Sequence, residues 1–315
     1  MVHESVGFLD KLRKWGLAFC DSLQNLPNNL RLKSLEDFYL SSCSMLEKFP
    51  NILHQEMKCL KRLQLSESGI RELPSSIGYL TQLTALRLER SHNLRDLPDS
   101  IGYLTQLTEL SLHNCHNLRD LPESIGYLTQ LTELSLHNCH NLRDLPDSIG
   151  YLTQLTRLWL RGCHNLRDLP DSIYKLQMLE DFSFDSAKLR PPCNSFDGLS
   201  EYGFLRLREL RFSGYRRVEL EFLMKPNYFP VLSLLDLSGT DIVSIPESLN
   251  RFTTLETLLI RNCQQLRQIL GLPQFIRNLN ASHCRSLDAQ SSSRLLNQVS
   301  LFQVIIKNKT IFFFF

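Results

Sequence analysis

The sequence predicts an α/β solenoid of leucine-rich repeats: a horseshoe with a parallel concave β-sheet and short helical or 3₁₀ convex segments. Three observations predict it. A block of 24 residues recurs almost unchanged, LTQLTELSLHNCHNLRDLPESIGY being the copy at 104–127. Early in each block leucines alternate with polar residues, the period of a strand with one buried face. Beyond that stretch, a Pro–x–Ser step leads into Ile and Leu at helical spacing.

The frame, LxxLxLxxCxxLxxLPxSIGxL, starts near the N-terminus with imperfect copies. Leu12, Trp15, Leu17, Cys20, Leu23, Leu26 and Pro27 fill it once; Leu35, Phe38, Leu40, Cys43, Leu46, Phe49 and Pro50 fill it again. A shortened copy runs Leu60, Leu63, Leu65, Ile70, Leu73, Pro74. The regular blocks follow at 80–103, 104–127, 128–151 and 152–175. Later copies begin at Leu232, Leu255 and Ile276, making about twelve repeats, with irregular ones at about 179–231. A short strand cannot bury its apolar face alone, so neighbouring repeats stack as a parallel sheet over one continuous core. Strands about 4.8 Å apart inside, with wider turns outside, impose curvature. The serine of the Pro–x–Ser step is expected to cap the outer turn.

Residues 1–290 are expected to form the solenoid, and 291–315 a tail outside it. In the irregular stretch Pro191, Pro192, Cys193 and Gly198 break the rhythm, and Tyr215 and Val218 keep only a loose frame. Those repeats read either as loops that carry binding or as tolerated insertions on the outer surface. The terminal run Phe312 to Phe315 is expected to arise from translation past a splice site. Of two glycosylation sequons, Asn308-Lys309-Thr310 and Asn280-Ala281-Ser282, the second is discounted because it falls in a strand with its backbone paired.

Composition excludes several functions. With 35 Lys+Arg against 33 Asp+Glu, the net charge of +2 argues against general nucleic-acid affinity. No run of about 18 apolar residues suggests a membrane span. Residues 1–10 lack the basic start and apolar core of a signal peptide. Cys20, Cys43, Cys115, Cys139, Cys163, Cys263 and Cys284 share one phase of the repeat. That phase predicts small buried thiols whose S–H reaches a backbone carbonyl, reduced in a cytoplasmic protein. His92, His116, His140 and His164 also recur, but near-identical copies need no cause beyond duplication, so no metal site is expected. HExxH, GxSxG and the phosphate loop GxxxxGK[ST] are all missing, so no catalytic residue, cofactor or nucleotide binding is expected.

The repeated CHNLRDLPDSIG block, and LPQFIRNLNASHCRSL at 272–287, resemble the repeat region of plant intracellular disease-resistance receptors. The likeness is closest to those with a Toll/interleukin-receptor-type signalling domain and a nucleotide-binding domain. It covers roughly Leu12 to Leu287 and implies a protein-recognition module of innate immunity. The implied partner is a pathogen effector, a host protein that effectors modify, or another receptor domain. An intracellular signalling scaffold of the Ras-group or SHOC-like type is the alternative. Its repeats run about 23 residues with Asn in the cysteine column, which counts against it.

Positions flanking the strand leucines are expected to be exposed on the concave face. The candidate partner-binding set is Arg87, Glu89, Arg90, Glu109, His113, Glu133, His137, Arg157, Trp159 and Arg161. Ser111 and Ser135 are expected beside them. Trp159 stands out, an outward strand residue between arginines, because Trp and Arg dominate binding hot spots.

Overall fold

A computed structural model of the chain describes residues 2–28, 30–53, 56–185, 203–212, 226–288, 291, 303–306 and 309–310. It consists of two compact units, Met1–Leu176 and Gln177–Phe315.

The first unit carries seven strands among its described residues: β1 (Lys14–Gly16), β2 (Asp37–Tyr39), β3 (Arg62–Gln64), β4 (Ala85–Arg87), β5 (Glu109–Ser111), β6 (Glu133–Ser135) and β7 (Arg157–Leu160). Each runs parallel to the next, with equivalent residues of successive repeats opposite one another, as Leu86↔Leu110 and Leu110↔Leu134. Leucines one repeat apart therefore touch, and Leu86, Leu88, Leu110, Leu112, Leu134 and Leu136 are all fully buried. Each such side chain stabilises the stack by about 1.5–3 kcal/mol. That burial, rather than the few hydrogen bonds of a three-residue strand, holds the repeats together.

On the outer side each regular repeat makes one 3₁₀ turn: Ser75–Tyr79, Asp99–Tyr103, Glu123–Tyr127, Asp147–Tyr151 and Asp171–Lys175. The serines do not cap these turns. Pro98, Pro122 and Pro146 occupy the cap position with extended backbone, and no side-chain cap bond forms. The Oγ atoms of Ser100, Ser124, Ser148 and Ser172 are buried without a hydrogen-bond partner. The reason is packing. Each of these serines lies against the glycine of the preceding turn, so small size is what the position selects.

The cysteine column is buried as expected except at Cys20, which is half-buried. The thiols of Cys43, Cys115, Cys139 and Cys163 donate to the carbonyls of Leu17, Leu88, Leu112 and Leu136 at 3.1–3.2 Å. All described cysteines are free thiols.

In the second unit, β8 (Asp181–Phe184), β9 (Glu209–Phe212), β10 (Leu234–Asp236), β12 (Thr257–Leu259), β14 (Asn278–Ala281) and β15 (Gln303–Ile306) pair in parallel. The short β16 (Lys309–Thr310) pairs antiparallel with β15, and β11 (Ser244–Ile245) pairs with β13 (Gln268–Ile269). Phe182, Phe184, Phe204 and Phe229 take the places of leucines in this core. Asn280 sits in β14, where its carbonyl accepts from the Ile260 N–H at 2.8 Å. Pro191, Pro192, Cys193, Gly198, Tyr215, Val218, Asn308 and the phenylalanine run lie outside the described residues.

Candidate binding surface

All ten candidate residues lie in the first unit, on or just beyond β4 to β7. Two features of the local chain set their directions. Within each strand the central leucine points into the core, so its neighbours line the open face of the sheet. Two or three residues past the strand, Arg90, Asn114, Asn138 and Gly162 adopt left-handed backbone, with φ of 57°, 62°, 57° and 78°. This conformation is uncommon outside glycine. It is held here because the N–H of Arg90, Asn114 and Asn138 donates to the carbonyl of His113, His137 and Arg161 in the next repeat, at 2.9, 2.6 and 2.6 Å.

The charged candidates largely neutralise one another. Glu109 and Glu133 stand directly opposite in neighbouring strands, an unfavourable pairing of like charges. Each is compensated from its far side. Arg87 donates two hydrogen bonds to Glu109, at 2.7 and 3.0 Å, and Arg157 donates one to Glu133 at 3.3 Å. The row across the sheet is thus Arg87, Glu109, Glu133, Arg157. Arg90 reaches back to Glu67 at 2.6 Å, and Glu89 accepts from the hydroxyl of Ser66. The hydroxyl of Ser42 and the guanidinium of Arg90 hold the Glu67 carboxyl below its ordinary range.

The aromatic candidates form a second group. His137 and Trp159 stack, their ring centroids 5.6 Å apart and their planes 12° from parallel. Trp159 is half-buried. His113 shares a hydrogen bond of 3.2 Å with Ser111 Oγ. Ser111 and Ser135, expected to be exposed, are in fact buried. They stand side by side between Arg87 and Trp159 in register across the sheet, and a side chain of one carbon and one oxygen is too short to clear them. Arg161 is exposed, and its guanidinium has no hydrogen bond or ion pair among the described residues. Gly162 beside it disfavours a side chain, because its φ of +78° suits glycine and a Cβ there would stand 2.9 Å from the backbone Cα of Asn138.

Other polar rows were not anticipated as networks. Asn138 donates to Asn114 at 2.9 Å, and Asn117 donates to the carbonyl of His92 at 2.7 Å. Arg62 forks onto the buried Asp37 with bonds of 2.5 and 2.9 Å. The only trace of this pair in the sequence is opposite charges one repeat apart. The recurring histidines stack: His92, His116, His140 and His164 have successive centroid separations of 4.7, 4.6 and 5.1 Å. Nδ1 of His92 and of His140 faces a backbone carbonyl, of Asn114 at 3.0 Å and of Gly162 at 2.7 Å, and so carries the hydrogen. Stacked rings direct their remaining lone pairs side by side rather than toward one point. Among the described residues no group of three or more His, Cys, Asp or Glu is arranged to hold a metal ion. No helix among them is long and apolar enough to cross a membrane.

Among the described residues the strand-lined face is therefore mostly self-neutralised, with the His137–Trp159 pair and the unpaired Arg161 guanidinium at its β7 end. Such a surface suits contact with a macromolecule more than enclosure of a small ligand.

Comparisons with known proteins agree with this architecture. The functional domain of InlJ from Listeria monocytogenes, which includes a cysteine ladder, superposes with a TM-score of 0.63 at 17% identity, covering 96% of this chain and 60% of that one. The Toll–Spätzle complex of Drosophila gives 0.59 at 18% identity, over 90% of this chain and 43% of that one. At such identities the likeness concerns the fold. Among sequence relatives, disease resistance protein RML1A of Arabidopsis thaliana is 36% identical over 90 residues, 29% of this chain and 9% of its own length. TMV resistance protein N of Nicotiana glutinosa is 43% identical over 94 residues, 30% of this chain and 8% of its own length. The matches thus span less than a tenth of either relative. The model of the leucine-rich repeats of RPS4B-like disease resistance proteins matches residues 30–121 and 103–300. The chain belongs to that family, the leucine-rich repeats of RPS4B-like disease resistance proteins.

Proposed function

We propose that the chain is a protein-recognition module of plant innate immunity, which senses a pathogen effector or a guarded host protein through the strand-lined face of its first unit. The observation that carries this reading is the grouping of Trp159, His137 and Arg161. The indole stacks on the imidazole, and the neighbouring guanidinium has no side-chain partner among the described residues. Tryptophan and arginine are enriched among the few residues that carry most of the binding energy at protein interfaces, and an arginine without a partner takes a carboxylate in a two-pronged hydrogen bond. Arg87 and Arg157 are committed to Glu109 and Glu133, so they orient and insulate the site rather than anchor the partner. The module acts in the cytoplasm, performs no chemistry, and needs neither nucleotide nor cofactor. Its relatives' names as resistance proteins support the biological setting.

The test is affinity capture from infected and healthy plant tissue with the full chain, alongside the Trp159→Ala and Arg161→Ala variants. Affinities of the captured protein are then measured with purified components. Trp159→Ala is expected to cost about 2 kcal/mol, roughly thirtyfold in Kd. A partner held equally by the wild type and both variants would remove this face from the reading.

A further inference from the structure

The outer side of the first unit carries a row that recognition by the strand-lined face does not use. Tyr79, Tyr103, Tyr127 and Tyr151 close successive 3₁₀ turns and are exposed by 48%, 66%, 65% and 59%. Four large aromatic side chains, all at least half exposed or nearly so, recur at one position of successive turns rather than being scattered over the surface. The rings are placed by the glycines. A Cβ at Gly78, Gly102 or Gly126 would stand 2.9, 3.0 or 3.2 Å from Cδ2 of Tyr103, Tyr127 or Tyr151. The rings of Tyr103, Tyr127 and Tyr151 thus each rest an edge on the bare glycine of the turn before, which holds them in step with the repeats.

The charge around the row has one sign. Across 75–82, 99–106, 123–130 and 147–154 the only charged residues are Asp99, Glu123 and Asp147, all exposed. The Glu123 carboxylate also accepts from the Ser148 N–H at 3.2 Å. The Arg–Asp steps that precede these turns, such as Arg119-Asp120, contribute no net charge. In the last regular turn Lys175 takes the place of tyrosine, and its ammonium lies 5.8 Å from the centroid of the Tyr151 ring. The chain itself therefore sets a cation on the last ring of the row, within the range of a cation–π contact.

We propose that this tyrosine row is a second docking strip, and that its occupant is a basic, extended peptide segment of a protein partner. Lysine or arginine heads lie over Tyr103 and Tyr127 as Lys175 lies over Tyr151, and their charge is met by Asp99 and Glu123. Alternate side chains of an extended segment face one way, so a segment with basic residues at every second position presents one charged edge to the row. An acidic segment is repelled by the same carboxylates.

Fluorescence anisotropy with the full chain tests this, using a labelled alternating Arg–Ser peptide and its Glu–Ser counterpart at physiological salt. The Arg–Ser peptide is expected to bind and the Glu–Ser peptide not to. Tyr103→Ala with Tyr127→Ala weakens binding about tenfold, and Tyr103→Ala alone about threefold. Replacing both tyrosines by phenylalanine keeps the affinity within about twofold, since the ring face remains. Trp159→Ala and Arg161→Ala leave it unchanged, which separates this strip from the strand-lined face. Circular dichroism checks that each variant is folded, and the single alanine variant serves if the double one is not. Equal binding of both peptides would overturn the proposal. So would Arg–Ser binding that survives the alanine variants but vanishes in Asp99→Asn/Glu123→Gln, which is undirected charge attraction. Self-association lost in the tyrosine variants, with no peptide bound, would assign the row to a second copy of the chain instead.

Discussion

Gly126 lies so close to Ser148 that a Cβ added to the glycine would stand 2.7 Å from the serine Cβ and 2.8 Å from its carbonyl oxygen. Neither contact can relax by moving the end of a flexible side chain. Gly126→Ala is therefore expected to destabilise the chain by about 1–3 kcal/mol, as overpacking does. Ser148→Ala works in the other direction. Its hydroxyl is buried without a partner, so removing it is expected to be neutral or to stabilise by about 1 kcal/mol. Denaturant unfolding of the two variants checks both signs. A stable Gly126→Ala would mean that the repeats can slide apart on the outer side.

Asp37 is only 1% exposed, and the Arg62 guanidinium holds its carboxyl below the usual carboxylate range, with Lys14 assisting at 3.6 Å. A lowered folded-state value stabilises the fold above the unfolded value of about 3.9, and the gain is lost as pH falls through the folded value. Arg62 is itself more than half exposed, so solvent screens the pair. Arg62→Ala is expected to cost about 1–2 kcal/mol at neutral pH. The gap between wild type and variant should shrink below about pH 4, where Asp37 of the variant takes up its proton while Arg62 still holds the wild-type carboxylate ionised. A gap that stays constant down to about pH 2 would show that the loss is one of packing alone.

His116 is pushed below the ordinary histidine value by burial and by the flanking His140 and His92. The unfolded chain then takes up that proton first, so stability falls as pH drops through about 6.5 and levels off below the folded value. Unfolding midpoints at about pH 7.5 and about pH 5.5 measure the fall, and His116→Gln is expected to reduce it. Equal falls in both proteins would exclude His116 as a contributor. An NMR titration should also show the His116 ring protonating at a lower pH than a free imidazole.

Burial pushes the Cys115 thiol up to about 12, and burial likewise raises Cys139. The reactive thiolate is therefore absent at about pH 8. Iodoacetamide applied to the native chain should modify the half-buried Cys20 and Cys59 and spare Cys115, Cys139 and Cys163 until denaturant is added. Mass spectrometry of the digested protein reads this directly. Rapid native labelling of Cys139 would mean that the repeats open locally.

Much of this molecule was legible from its sequence, because a solenoid is nearly one-dimensional. A residue's neighbours in space are those one repeat away, so the period of 24 that aligns Leu110 with Leu134 in the sequence also stacks them in the core. The same reasoning placed Cys139 against a neighbouring backbone carbonyl, put Trp159 on the open face and set the histidines in a column. What the period cannot express is how far a side chain reaches and which neighbour it prefers. The tertiary structure alone decided that Arg87 and Arg157 turn toward Glu109 and Glu133, while Arg161 meets no carboxylate among the described residues. It alone decided that Ser111 and Ser135 sink between larger neighbours, and that Ser148 packs against Gly126 instead of capping its turn. Those outcomes depend on contact distances of a few ångströms between repeats, where sterics and ion pairing choose among partners that the sequence pattern leaves equivalent.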